Sequence, residues 1–200
     1  MKAEGLVKLE HILDAAIKRF SHFGINKTTL TEIAEDLGIS KPSLFYYFHD
    51  KNSLIAAVAG KIINECLESF EAALQSAQSI EEGLLCYVEV KRDFFKKYFL
   101  LAIQGDTIDI NKVSPAITDI YIAARKKTEA LISTHLNKGI EAKELKAVDT
   151  EKTSHLLLDT LSAFEFCIKG RKAIPEMKEI DDMFDKQKDV LEMCLNGLKK

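Results

Sequence analysis

Lys41, Ser43, Tyr46, Tyr47 and Lys51 gather two ammonium groups and three hydroxyls into one short stretch of the chain. Their common chemistry is hydrogen-bond donation to fixed, electron-rich acceptors. A lysine can donate to guanine O6 or N7, and a short serine can meet a base edge or a phosphate oxygen. Contacts of that kind need the side chains held on a rigid outward face, with the base-reading groups at its leading end.

The neighbouring residues supply such a holder. Thr29 and Glu32 have the spacing of a capping box, which starts a helix at Leu30. Leu30, Ile33, Ala34 and Leu37 give that helix one apolar face. Gly38 can take the positive φ of a tight helix-to-helix turn. Ser40 caps a second helix, and Pro42 fits its first turn, where a missing N–H costs little. Leu44, Phe45 and Phe48 are expected to anchor the second helix to the first.

A small residue at 34 for close crossing, a glycine at 38 for the turn and an apolar residue at 44 for the gap are what a helix-turn-helix requires. The second helix then turns Lys41, Ser43, Tyr46 and Tyr47 outward. Lys41 and Ser43 stand at its N-terminal end, the part that reaches base edges in a major groove. Asp50 caps a further helix and puts Lys51 in its first turn, beside free N–H groups suited to a phosphate. Glu32, Glu35 and Asp36 point away from this face. Residues 1–60 hold seven Lys/Arg and seven Asp/Glu, and the whole chain carries a formal charge of −3. Placement rather than net charge has to supply the attraction for a polyanion.

The spaced pattern resembles the DNA-binding domain of the TetR/AcrR family of bacterial regulators over residues 9–55. The resemblance rests on Ile12-Leu13-Asp14-Ala15-Ala16 with Phe20 and Gly24, then Thr28-Thr29, Ile33-Ala34, Leu37-Gly38-Ile39-Ser40-Lys41, Leu44-Phe45-Tyr46-Tyr47-Phe48 and Lys51. Pro42 stands where the family often has Gly or Ala, and Phe45 replaces a common Tyr, which removes a phenolic hydroxyl. The resemblance implies base contacts from Lys41 and Ser43 and phosphate contacts from Thr28, Thr29, Tyr46, Tyr47 and Lys51. With the capping Ser40, these make up the expected DNA-binding set. The tyrosines have packing as their alternative role.

The rest of the chain reads as helix. Three prolines and nine glycines interrupt 200 residues, apolar residues recur at helical spacing, and strand-like alternation is hard to find, so the fold class is all-α. A first helix over about 6–23 carries Leu9, Leu13, Ala16, Phe20 and Phe23 on one face and ends at Gly24 as a left-handed cap. A long helix over about 50–77 carries Leu54, Val58, Ile62, Cys66 and Phe70. An aromatic-rich helix follows over 80–98, then a loop over 105–113. Ser114-Pro115 restarts a helix expected to end at Gly139. The last two helices cover about 149–169 and 180–198, with Gly170 and Pro175 between them.

Leu157, Leu161, Phe164 and Ile168 form a stripe on the first of these, and Ile180, Phe184, Leu191, Leu195 and Leu198 on the second. Each stripe suits either a core within the chain or a partner. The resemblance implies a homodimer joined through them, with Leu157, Leu161, Phe164, Ile168, Phe184, Leu191 and Leu195 at the interface. Two recognition helices about 34 Å apart would read a palindromic site on double-stranded DNA. The resemblance also implies a helix-turn-helix domain over 1–50 and an effector-binding and dimerisation domain over 51–200. Tyr87, Phe94, Tyr98, Phe99, Ile103, Tyr121, Leu158 and Phe166 are the candidate lining of an effector pocket, although an aromatic stripe of this kind also suits a plain core.

Other chemistries lack their residues. The five histidines show no metal-ligand spacing, and no glycine-rich phosphate loop or nucleophile elbow occurs. No metal or cofactor is expected. The four cysteines are far apart in apolar helical stretches and read as small buried hydrophobes, with a redox or electrophile sensor as the alternative. No apolar run approaches a bilayer span and the N-terminus has no signal-peptide core, so a cytoplasmic, membrane-free location is expected. The functional expectation is a transcriptional repressor released by a small-molecule effector, with an activator as the variant. A helical ligand carrier and an enzyme with an unmarked site are the rivals, and neither needs the outward Lys41, Ser43, Tyr47 and Lys51.

Overall fold

The structure is a computed structural model that describes residues 3–99, 101, 115–169 and 174–200. These residues form α1 (Ala3–Phe23), α2 (Leu30–Asp36), α3 (Lys41–Tyr47), α4 (Lys51–Ser76), α5 (Ile80–Lys97), α6 (Pro115–Glu141), α7 (Thr150–Lys169) and α8 (Met177–Leu198). No strand occurs among the described residues, and an isolated bridge joins Leu145 to Lys199. The all-helical expectation holds. No described helix is long and apolar enough to cross a membrane.

The chain divides into two compact units. One comprises Met1–Asn64 with Tyr98–Tyr121, the other Glu65–Lys97 with Ile122–Lys200. In the first, Ile12, Ala16 and Phe20 of α1 meet Ile33 and Ala34 of α2, Leu44 of α3 and Leu54 of α4 in one buried cluster. Leu101 and Ile117 pack against this cluster. Arg19 of α1 grips Glu32 (3.1 Å) and Asp36 (2.7 Å) of α2, and Lys61 of α4 pairs with Glu10 and Asp14 of α1. The acidic residues of α2 and α1 are thus partly spent inside the unit.

Phe23, expected on the buried face of α1, is exposed instead. It sits on the last turn, beyond the reach of the core, and takes the Arg19 guanidinium over its ring at 5.2 Å. Gly24 does provide the left-handed cap, with φ +85° and its N–H on the Phe20 carbonyl at 2.9 Å. In the second unit Gly139 does not end α6, which runs to Glu141. A side chain at 139 would come within 2.9 Å of Ile80 and Leu145, so this glycine admits close packing. The turn is made by Lys143 at φ +64°. α8 starts a turn earlier than expected, at a Glu176/Glu179 capping box. The expected loop at 105–113, the Ser114 cap and Gly170 lie outside the described residues.

The second unit is cored by Leu84, Val88 and Phe95 of α5, Leu157, Leu158 and Leu161 of α7, and Ile180, Phe184, Leu191 and Leu195 of α8. His135 of α6 is buried beside Gly83 of α5, where an added Cβ would lie only 2.2 Å from its Nε2. That nitrogen donates to the Ile80 carbonyl at 3.3 Å. Burial pushes the imidazole below its ordinary value and Lys138 acts in the same direction, against the hydrogen bonds to Ile80 and Ser79. A histidine whose folded value is depressed gives up stability as pH falls through the range below its unfolded value of about 6.5, because the unfolded chain binds the proton more readily. Thermal midpoints measured from pH 8 down to 5 should therefore fall more steeply for the wild type than for His135→Gln. Parallel curves would show that His135 carries no such linkage.

Candidate nucleic-acid interface

Local chemistry builds α2 and α3 as their sequences require. The Thr29 hydroxyl accepts from the Glu32 amide at 3.2 Å, and the Glu32 carboxylate accepts from the Thr29 amide at 2.7 Å. Gly38 takes φ +62° in the turn, and its N–H donates to the Glu35 carbonyl at 3.0 Å. Ser40 accepts from the Ser43 amide at 3.3 Å and so starts α3. Asp50 starts α4 by accepting from the Ser53 amide at 2.7 Å.

α3 has seven residues and one fully buried side chain, Leu44. Successive residues rotate by about 100°, so Pro42 and Tyr46, two positions either side of Leu44, stand opposite it. Tyr46 is accordingly 85% exposed. Lys41, Pro42, Ser43 and Phe45 are exposed around it, while Tyr47 is half-buried against the core with its ring edge-on to Tyr46 at 5.3 Å. The outward set is therefore Lys41, Pro42, Ser43, Phe45 and Tyr46.

Several expectations change at this point. Phe45 does not anchor α3. It lies outward, with Lys41 Nζ 5.6 Å from its ring centre. Thr28 is fully buried and its hydroxyl donates to the Gly24 carbonyl at 2.9 Å, so that group closes the α1–α2 turn and does not face solvent. The hydroxyls of Thr29 and Ser40 work as caps, although both residues are exposed. Lys51 is half-buried in the first turn of α4, and Nζ donates to the Asn26 carbonyl at 3.4 Å. Burial draws its ammonium below the ordinary lysine value, opposed by Glu32. The sequence reading missed the outward Pro42 and Phe45, although the rotation from Leu44 signals Pro42. Exposed Asn26, Lys27 and His49 flank the same region.

The other predicted residues do not gather into one group. Tyr98, Phe99 and Tyr121 belong to the first unit, whereas Tyr87, Phe94, Leu158 and Phe166 belong to the second. Leu158 and Tyr98 are buried, and Tyr87, Phe94 and Phe99 are half-buried. Tyr121 is 53% and Phe166 78% exposed, so neither lines an enclosed cavity as it stands. Ile103 lies outside the described residues.

Of the expected interface residues, Leu157, Leu161, Phe184, Leu191 and Leu195 are buried within the chain itself and Phe164 is half-buried. Within the chain α7 packs on α8 and α8 on α5, so these stripes take the first of their two roles, a core within the chain. The large apolar residues that these helices expose are Leu156, Phe166, Met177 and Met193. Among the described residues no group of three or more His, Cys, Asp and Glu is placed to hold a metal ion.

A three-helix head with an exposed recognition helix defines a helix-turn-helix regulatory protein. Residues 12–58 match the family described as bacterial regulatory proteins, tetR family. The HTH-type transcriptional regulator RutR of Escherichia coli is 38% identical over 90 residues, which are 44% of this chain and 42% of that protein. That match thus spans less than half of RutR. The uncharacterized HTH-type transcriptional regulator YvdT of Bacillus subtilis is 33% identical over 142 residues, 68% of this chain and 73% of that protein. A transcriptional regulator from Cytophaga hutchinsonii of known crystal structure superposes with a TM-score of 0.86 at 28% identity, over 96% of this chain and 99% of that one. The chain belongs to the TetR family of bacterial regulatory proteins.

Proposed function

We propose that the chain is a dimeric, sequence-specific DNA-binding regulator in the cytoplasm, a repressor that a small-molecule effector releases from a palindromic operator. The observation that carries this reading is α3 itself. It is held from beneath by Leu44, and it turns Lys41, Ser43 and Tyr46 outward with no acidic residue among them. Lys41 and Ser43, in the first turn, are the base readers, as the N-terminal end of a recognition helix enters the major groove. Tyr46, Lys51 and the exposed Thr29 and Ser40 side chains at the edges of the motif serve the phosphates.

The DNA-binding function resides in residues 1–50, and effector binding and dimerisation in 51–200. α4 contributes to both compact units, which makes it the element through which an effector would act. The effector gates DNA only if it binds the DNA-incompetent arrangement more tightly. Leu156, Phe166, Met177 and Met193 are exposed apolar residues of α7 and α8 available to a second copy, and a two-fold dimer matches a palindromic site.

The test is selection from a random duplex library with the purified full chain. A recovered palindrome supports the reading. Failure to enrich any sequence at both low and moderate salt, with folded protein, sinks it. On the selected operator, Lys41→Ala is expected to lose roughly 1–3 kcal/mol of discrimination between cognate and random DNA. Lys51→Ala should weaken both alike and flatten the salt dependence. Equal losses on both DNAs for Lys41→Ala would remove it from the base-reading role.

A further inference from the structure

Inside the second unit an ion pair sits among groups that the DNA-binding function does not use. Lys91 of α5 donates to Glu165 of α7, with Nζ 3.1 Å and 3.2 Å from the two carboxylate oxygens. The side chains are only 29% and 15% exposed. Burial works against the Lys91 charge, but the charge and hydrogen bond of Glu165 hold its pKa above the ordinary lysine value. Tyr87 stands one turn before Lys91 on α5, edge-on to buried Phe70 of α4 at 5.2 Å. Cys66 is one turn before Phe70, half-buried, with its thiol pushed up by burial. Phe94, also half-buried, continues the face of Tyr87 and Lys91 along α5.

A buried ion pair of this kind is near break-even against apolar packing, while removal of either partner alone is costly. A second carboxylate that takes Glu165's place would spare Lys91 that cost, because its ammonium would not be left buried and unpaired. Lys91 would remain paired, and the freed Glu165, one turn from the end of α7, would leave a helix terminus whose dipole disfavours an anion. The aromatic groups along the same face suit an apolar tail. A cationic ligand gains nothing comparable, since it would approach the ammonium of Lys91.

We propose that Lys91, paired with Glu165 beside Cys66 and Tyr87, is the headgroup anchor for an amphipathic carboxylate, which takes the place of Glu165 on the ammonium. This rests on the reading of the chain as an effector-gated regulator and names the chemical class of the effector.

The experiment is calorimetric titration of the full chain with decanoate, decanol and decyltrimethylammonium, each below its micelle concentration. In the wild type decanoate should bind at least about tenfold more tightly than decanol, the worth of one charge-assisted hydrogen bond. Lys91→Met should level the two, Lys91→Arg should restore the preference, and Glu165→Gln should keep or strengthen it. Equal binding of decanoate and decanol to the wild type, or tighter binding of the ammonium compound, overturns the proposal without recourse to any variant. Operator binding is read separately. Decanoate that binds through Lys91 without displacing DNA leaves this anchor standing and sinks effector gating. A loss of operator binding unconnected to decanoate bears on the DNA reading alone.

Discussion

Leu44→Ala is expected to lower the stability of the N-terminal unit by roughly 2–5 kcal/mol and to abolish operator binding. Leu44 is fully buried among Ala16, Phe20, Ile33, Ala34 and Leu54, in the core that fastens α3 to the rest of the unit. A helix of seven residues is far too short to persist on its own in water, so α3 exists because it is packed. Removing three methyl-sized groups at 44 loses their transfer free energy and leaves a cavity under the recognition helix. Leu44→Met conserves volume and should cost less than about 1.5 kcal/mol. Denaturant unfolding followed by binding to the selected operator separates the effects. An alanine variant within about 1 kcal/mol of wild type would mean that Phe48 and Tyr47 hold α3 without Leu44.

The contrast with Lys41→Ala is informative. Lys41 is exposed, with its ammonium over the Phe45 ring, so its loss should leave stability nearly unchanged while it relaxes sequence preference. Leu44 acts on every DNA sequence alike, because it decides whether a recognition helix is present at all. The two substitutions thus divide the building of the site from its reading.

What was legible in the sequence was mostly local. The Thr29/Glu32 box, the Ser40 and Asp50 caps and the Gly38 turn are decided by groups within four residues of each other, and each forms as its spacing predicts. The direction of a side chain at the margin of a helix face is decided by what packs against it, and there the sequence misled. Phe45 and Phe23 are as apolar as Phe48 and Phe20, yet the first two face outward and the second two inward. Thr28 has a hydroxyl like Thr29, but one position of rotation buries it on the Gly24 carbonyl.

The C-terminal helices pose the same difficulty at a larger scale. An apolar stripe says that a face is buried and not by what. On α7 and α8 the stripe through Leu161 and Phe184 is consumed inside the chain, while Phe166 and Met193, no less apolar and set close to those stripes in sequence, face outward. The Lys91–Glu165 pair joins residues 74 apart in sequence, so no local spacing signals it.

Phe184→Ala should therefore be the most destabilising single substitution in the second unit, at roughly 3–5 kcal/mol. The ring is fully buried, edge-on to Phe95 at 5.8 Å, and lies 5.9 Å from the Arg92 guanidinium, which in turn holds Asp185 at 2.6 Å. Truncation removes the aromatic contact, opens a cavity between α5 and α8 and leaves Arg92 over empty space. Because the ring is covered by its own chain, the loss should be the same at low and high protein concentration. A residue that faces the partner in the proposed dimer should behave differently. Phe166→Lys changes an exposed position, so it should leave the protomer within about 0.5 kcal/mol of wild type and shift the monomer–dimer balance toward monomer. Denaturant titration at two concentrations, with sedimentation velocity on both variants, distinguishes the cases. If Phe184→Ala dissociates a dimer and leaves a stable folded monomer, the stripe of α8 belongs to the partner after all, and the core of the second unit must be closed by other residues.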